Sequence, residues 1–107
     1  MDTFAALSDP TRRAIVELLA REGPLPAARI VEQFPVSPPA ISQHLKILRE
    51  ADLVRVEKRA QQRIYQLNPA AVQEVGQWAA RLARQWDQRF DRLEQVLKVE
   101  SQKNKKE

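Results

Sequence analysis

A mainly α architecture with one small two-stranded β-hairpin is expected of this 107-residue chain, and three features lead to it. Apolar residues recur at steps of three and four in several separate stretches, the period of a helix that buries one face. Between Leu53 and Leu67 the pattern changes to two short apolar runs around a basic, glutamine-rich tip, the signature of paired strands. Prolines and Gly23 fall at the joints between these stretches. At this length the chain supports one domain with one modest core, so a large binding cavity would need a second subunit to help wall it.

Taken from the N-terminus, Phe4, Ala5 and Leu7 predict a short amphipathic helix that stops at the turn Ser8-Asp9-Pro10. Asp9 caps a second helix with Pro10 at its first position, where a missing N–H costs nothing. Ala14, Ile15, Leu18 and Leu19 make its buried stripe, and Gly23-Pro24 ends it. Pro26 opens a third helix with Ala28, Ile30, Val31 and Phe34 apolar, and Phe34-Pro35-Val36 turns the chain. Ser37 caps a fourth helix whose Ile41, Leu45 and Leu48 recur at i, i+4 and i+7 and face inward. Leu53, Val54 and Val56 begin a strand, Ala60-Gln61-Gln62 makes the tip, and Ile64, Tyr65 and Leu67 return it.

Asn68 and Pro69 then launch a long final helix. Its Val72, Val75, Ala79, Leu82, Trp86, Phe90, Leu93 and Leu97 follow steps of three and four, the spacing of an a/d seam. About 30 residues at about 1.5 Å each give roughly 45 Å of helix, longer than so small a body can bury. Part of the seam is therefore expected to meet another chain. Residues 1–100 read as one domain, and residues 101–107 as a basic, disordered tail.

The formal charge of +4 is mild, so its placement matters more than its size. Counting Lys and Arg against Asp and Glu, residues 1–36 give 4 − 5 = −1 and residues 37–66 give 6 − 3 = +3. Residues 67–100 give 5 − 5 = 0 and residues 101–107 give 3 − 1 = +2. The excess sits on the fourth helix, the hairpin and the tail, where a polyanion would want it. The absence of cysteine excludes disulfides, thiolate metal sites and thiol redox sensing. No apolar run is long enough to span a membrane and the acidic start Met1-Asp2-Thr3 does not read as a signal peptide, so a cytoplasmic protein is expected.

Catalysis finds no support in the residues. There is no glycine-rich phosphate loop and no nucleophile spaced to meet a base. The nearest carboxylate pair, Asp87 and Asp91, is interleaved with Arg84, Arg89 and Arg92 and reads as an ion-paired helix face. No cofactor is expected.

The fourth helix and the hairpin carry the positive case. A helix lying in the DNA major groove must present short polar side chains near its N-terminus while its opposite face stays anchored in the core. Pro38, Pro39, Ser42, Gln43 and Lys46 occupy those outward positions behind the cap Ser37. Gln43 can pair bidentately with adenine, Ser42 can donate or accept, Lys46 can meet a phosphate, and the helix dipole favours phosphate at the N-terminus. The sole histidine, His44, sits among them, where packing or a phosphate contact outweighs metal ligation. In the hairpin, Arg59 and Arg63, ahead of Arg55 and Lys58, are placed to meet backbone phosphates, with Gln61 and Gln62 between them. Such a hairpin beside such a helix is the arrangement of a winged helix-turn-helix bound to duplex DNA. A solvated polar helix face and an edge strand guarded by lysine and arginine are the plain alternatives.

These segments resemble the ArsR-type winged-helix transcriptional repressors over nearly the whole chain. FAALSDPTRRAIVELL resembles the opening helices of that family, SPPAISQHLKILREADLV its recognition helix, and VRVEKRAQQRIYQL its wing. DPTRRAI, with Trp78 and Trp86 in WAARLARQWDQRFDRLEQVL, resembles a metal-free subgroup. The resemblance implies a homodimer joined through the first and last helices, here through Phe4, Leu7, Trp78, Leu82, Trp86, Phe90, Leu93 and Leu97. It implies binding to an imperfect inverted repeat and repression of the adjoining promoter. By position, base contacts fall on Pro38, Pro39, Ser42 and Gln43, and the wing tip on Arg59 to Arg63.

Departures from the family pattern carry expectations of their own. Pro38 and Pro39 replace polar residues and have no N–H to give, so Ser37 must cap through Ala40 and base reading falls on Ser42 and Gln43. Proline at 39 disfavours helical backbone at Pro38, which would start the helix one residue later. Asp52 replaces a helix-ending glycine, and Ala60-Gln61-Gln62 lacks the glycine common at the wing tip, so a longer or less sharply bent turn is expected. Metal ligands of relatives fall here on Ala27, Ala28, Arg29 and Ile30 or on carboxylates alone, so no metal is expected. Two other functions stay open: a winged-helix protein-interaction module, and a switch in which a small hydrophobic effector sits between helices bearing Trp78 and Trp86.

Overall fold

The computed structural model describes the backbone of residues 2–106 and the side chains of residues 2–102. Met1 at the acidic start and Glu107 at the end of the expected tail lie outside the described residues. Elements follow in the order α1 (Thr3–Ala6), α2 (Pro10–Glu22), β1 (Leu25–Pro26), α3 (Ala27–Glu32), α4 (Pro38–Glu50), β2 (Val54–Arg59), β3 (Gln62–Leu67) and α5 (Pro69–Lys106). Residues 1–72 make one compact unit and residues 73–107 a second.

In the first unit the helix starts follow from their capping residues. Asp9 accepts the Arg12 N–H at 3.0 Å with Pro10 in the first turn of α2. Ser37 Oγ accepts the Ala40 N–H at 3.3 Å, as the two prolines require. The helix begins at Pro38, however, and not one residue later. Proline's fixed φ already suits the first turn, and Ser37 before it takes the extended backbone such a residue prefers.

The end of α4 is a full left-handed cap without glycine. Asp52 adopts φ +60°. Its N–H donates to the Arg49 carbonyl and the Leu53 N–H to the Leu48 carbonyl, both at 3.0 Å, which is the paired bonding of a Schellman motif. Leu48 and Leu53, the apolar pair that accompanies this motif, are both fully buried. Asn68 Nδ2 donates to the Asp52 carbonyl at 2.8 Å and ties this corner to the start of α5.

The sheet holds three antiparallel strands in the order β1-β3-β2, one more than the hairpin expected. Leu25 pairs with Tyr65 and Pro26 with Ile64. Two residues cannot display an alternating pattern, and a proline is tolerated there because the strand lies at the sheet edge. Pro26 is consequently a strand residue and the cap position of α3, which begins at Ala27 and closes before Phe34.

The hairpin also turns more tightly than expected. Arg59 pairs with Gln62, so the loop is Ala60-Gln61 alone and Gln62 belongs to β3. Ala60 supplies the reversal by taking φ +54°. Two-residue loops need a left-handed residue to match strand twist, and here alanine bears the strain that glycine would avoid.

The core of this unit gathers Ile15 and Leu19 from α2, Ile30 from α3, and Ile41, Leu45 and Leu48 from α4. Leu53, Val54, Tyr65 and Ala71 complete it. In the second unit, α5 continues to Lys106, so helical backbone extends through residues 101–106 of the expected tail. That stretch holds neither glycine nor proline to stop the helix.

Candidate nucleic-acid interface

The helix α4 is anchored on one side and open on the other. Ile41, Leu45 and Leu48 are buried, whereas Ser42, Gln43 and Lys46, with Ser37, Pro38 and Pro39, are all exposed. Helical spacing places Pro39 and Gln43 in one row and Pro38, Ser42 and Lys46 in the next. No carboxylate occurs in α4 before Glu50, so nothing negative lies on this face near the N-terminus.

The N-terminus of α4 has few donors left. Pro38 and Pro39 carry no N–H, the Ala40 N–H is taken by Ser37 Oγ, and the Ile41 N–H by the Ser37 carbonyl at 3.1 Å. An anion here would feel the dipole without the hydrogen bonds that make helix starts strong phosphate sites. Any phosphate bound here would be held by side chains.

His44 is turned aside from the open row. Its side chain is only 20% exposed, with Nδ1 at 3.8 Å from Asp9 Oδ2 and 3.4 Å from Arg12 Nη1. The backbone N–H of Arg12 lowers the pKa of Asp9 below its ordinary value; burial opposes this, and the charges of His44 and Arg12 reinforce it. Arg12 and Arg13 carry further bonds that composition did not signal. Arg12 Nε donates to the Ala6 carbonyl at 2.6 Å, and Arg13 Nη1 to the carbonyls of Leu7 at 2.9 Å and Ser8 at 3.1 Å. These guanidinium groups satisfy the carbonyls left open at the end of α1.

In the wing, cross-strand register decides which side chains share a face. Val54, Val56 and Lys58 lie on one face of β2, opposite Leu67, Tyr65 and Arg63 of β3. The face that is buried at Val54 and Tyr65 thus becomes basic at its tip, with Lys58 directly across from Arg63. Like charges in that position repel, and among the described residues neither has an ion-pair partner. Arg59, by contrast, pairs with Glu57 at 3.3 Å with both side chains exposed. Gln61, Gln62 and Arg63 also wall an open cleft of about 290 Å³ against Pro26, Ala27 and Ala28.

Of the residues assigned to self-association, Phe4 is half exposed and Leu7 is half-buried against the core of the first unit. On α5, Trp78, Leu82, Trp86, Phe90, Leu93 and Leu97 are exposed, Trp86 by 67%, and Val96 and Val99 extend the apolar surface. Trp86 lines a groove of about 470 Å³ with Leu82, Gln85, Gln88, Arg89 and Arg92, all on this one helix. Among the described residues there is no group of three or more His, Cys, Asp or Glu that could hold a metal ion, and no helix long and apolar enough to cross a membrane.

Comparison with known proteins agrees with this geometry. Residues 7–57 match the helix-turn-helix domain family. An HTH-type transcriptional regulator of Mycobacterium tuberculosis is 49% identical over 69 residues, which span 64% of this chain and 64% of that protein. The transcriptional repressor SdpR of Bacillus subtilis is 40% identical over 77 residues, covering 72% of this chain and 84% of its own. Among solved structures, an ArsR-like transcriptional regulator from Rhodococcus sp. RHA1 superposes with a TM-score of 0.71 at 32% identity, covering 87% of each chain. By sequence and by fold, the chain belongs to the ArsR-type family of helix-turn-helix transcriptional regulators, which are DNA-binding proteins and not enzymes.

Proposed function

We propose that this chain is a homodimeric repressor acting in the cytoplasm on an inverted-repeat operator in double-stranded DNA. The observation that carries the reading is the exposed face with Ser42, Gln43 and Lys46 on a helix held by Ile41, Leu45 and Leu48. Ser42 and Gln43 read base edges, and Lys46 meets the phosphate backbone. Pro38 and Pro39 fill the groove wall as apolar contacts behind Ser37.

The wing adds salt-sensitive affinity through Arg63, joined by Lys58 across the strand and by Arg59, with Gln61 and Gln62 at sugar or groove edges. A phosphate between Lys58 and Arg63 would relieve their mutual repulsion. The apolar seam of α5, together with Phe4 and Leu7 of α1, joins the two copies. Control by metal is not proposed, since the chain has no cysteine and its one histidine faces Asp9 and Arg12.

Titration against the duplex upstream of its own gene tests this, with a random duplex of equal length beside it. The operator is expected to bind about 10³-fold or more tightly than random sequence at physiological salt. Equal, weak retention of both duplexes would rule out sequence-specific repression and leave a protein-interaction module as the better account.

A further inference from the structure

We infer that Arg12 is a positioning residue that sets the aim of α4 through His44, an inference that rests on reading α4 as the DNA-contacting helix. Its guanidinium spends all three nitrogens on two other elements. Nε donates to the Ala6 carbonyl at 2.6 Å and Nη2 to the Ala5 carbonyl at 3.3 Å, both at the end of α1. Nη1 reaches His44 Nδ1 at 3.4 Å in the middle of α4. The backbone N–H of the same residue is held by Asp9 Oδ2 at 3.0 Å, which fixes it in the first turn of α2. One side chain therefore joins α1, α2 and α4.

Holding α1 alone does not require this reach. Arg13 already binds the carbonyls of Leu7 and Ser8, so the end of α1 is secured a second time. What Arg12 adds is the link to His44, the residue next to Gln43 and two before Lys46. Nη1 donates to Nδ1 when the ring proton sits on Nε2; with Nδ1 protonated, that proton faces Asp9 Oδ2, 3.8 Å away, and the ring stays held between the two. A planar fork with donors at fixed angles meets these three acceptors together, and a lysine cannot. A shift of the ring re-aims the face that carries Ser42 and Gln43, and recognition tolerates only small displacements of such a face.

The test combines Arg12→Lys, His44→Leu and His44→Gln with the double variant Arg12→Lys/His44→Leu. Arg12→Lys and His44→Leu are each expected to weaken operator binding about tenfold while changing random-duplex binding less than about twofold, and the double variant to be no weaker than the worse single one. His44→Gln keeps an acceptor for Arg12 and is expected to recover operator binding to within about threefold of the native chain. Unchanged operator affinity in His44→Leu, or effects that multiply in the double variant, would overturn the inference. Equal losses on operator and random duplex would also overturn it, since His44 would then be a direct phosphate contact.

Amide hydrogen exchange of α4 without DNA separates this inference from the DNA reading. Faster exchange near His44 in both single variants, with a native chain that binds no duplex, leaves the link standing and removes the proposed function. Unchanged exchange with intact operator binding does the reverse.

Discussion

Gln43, on the open face of α4, ends in an amide whose donor and acceptor lie side by side, which suits bidentate pairing with adenine. Replacing it by alanine is expected to cost about 1–3 kcal/mol of operator affinity and almost none of random-duplex affinity. Lys58→Ala separates the other kind of contact: both duplexes should lose affinity together, with the salt slope falling by about 1. Titration at several salt concentrations reads both variants, and a change of sequence preference in Lys58→Ala would reassign the wing to base reading. Asp9 belongs to the same scale. Its folded-state pKa is lowered below 3.8, so it contributes stability above that value which is lost as pH falls through the lower folded value. Asp9→Asn keeps a capping oxygen without the charge. Its stability deficit against the native chain should be full at neutral pH and vanish in strong acid, as urea titrations at each pH would show; a deficit that persists unchanged in acid would mean that the fit of the amide, and not the missing charge, is the cause.

At the level of elements, the wing turn is the place where the chain departs from the easiest local choice. Ala60 holds a left-handed backbone at φ +54° in a two-residue loop, a conformation that costs an L-residue roughly 1–2 kcal/mol. Ala60→Gly is expected to raise stability by about 0.5–1 kcal/mol, less than the full strain because glycine also loosens the unfolded chain. Thermal unfolding should rise by about 2–8 °C, and an unchanged or lower midpoint would show that Ala60 is not strained.

The same turn marks the limit of what the residues disclose. Caps at Asp9 and Ser37 and the stripe Ile41-Leu45-Leu48 were legible because each rests on side-chain chemistry fixed in the local sequence. Left-handed Asp52 and Ala60 were not, since the rule that favours glycine there is statistical and the hydrogen bonds around them supply the difference. β1 escaped because it exists only through its pairing with β3, and the inward turn of His44 because its partners come from another helix. The helical backbone of residues 101–106 was not legible either, because a polar stretch without glycine or proline is compatible with helix and with coil alike. The seam on α5 was visible as a stripe but not in its period. From Val75 to Leu97 the steps run 4-3-4-4-3-4, so 22 residues take six steps and repeat every 11, a spacing that suits nearly straight pairing more than a left-handed supercoil.

For the molecule as a whole, the decisive quantity is how many copies reach the DNA. Two linked recognition helices about 34 Å apart match one turn of duplex and convert the second half-site contact into an intramolecular event. A single copy holds only the short face with Ser42, Gln43 and Lys46 and a small basic wing, which is little contact for a specific complex. Leu93 offers a clean way to separate the copies. It is 53% exposed on α5, distant in sequence from the core residues 1–72, so Leu93→Glu should leave the unfolding of the first unit intact. Burying a glutamate across an apolar seam without a partner is unfavourable enough to dissociate a helix pair. The native chain should sediment as a dimer at micromolar concentration and Leu93→Glu as a monomer, with operator affinity falling by about 10²-fold or more through lost avidity. Binding to an isolated half-site should change little, because no DNA-contacting side chain is altered. A native chain that sediments as a monomer yet binds the full operator, or a Leu93→Glu variant that stays dimeric, would place the joining surface elsewhere than on α5.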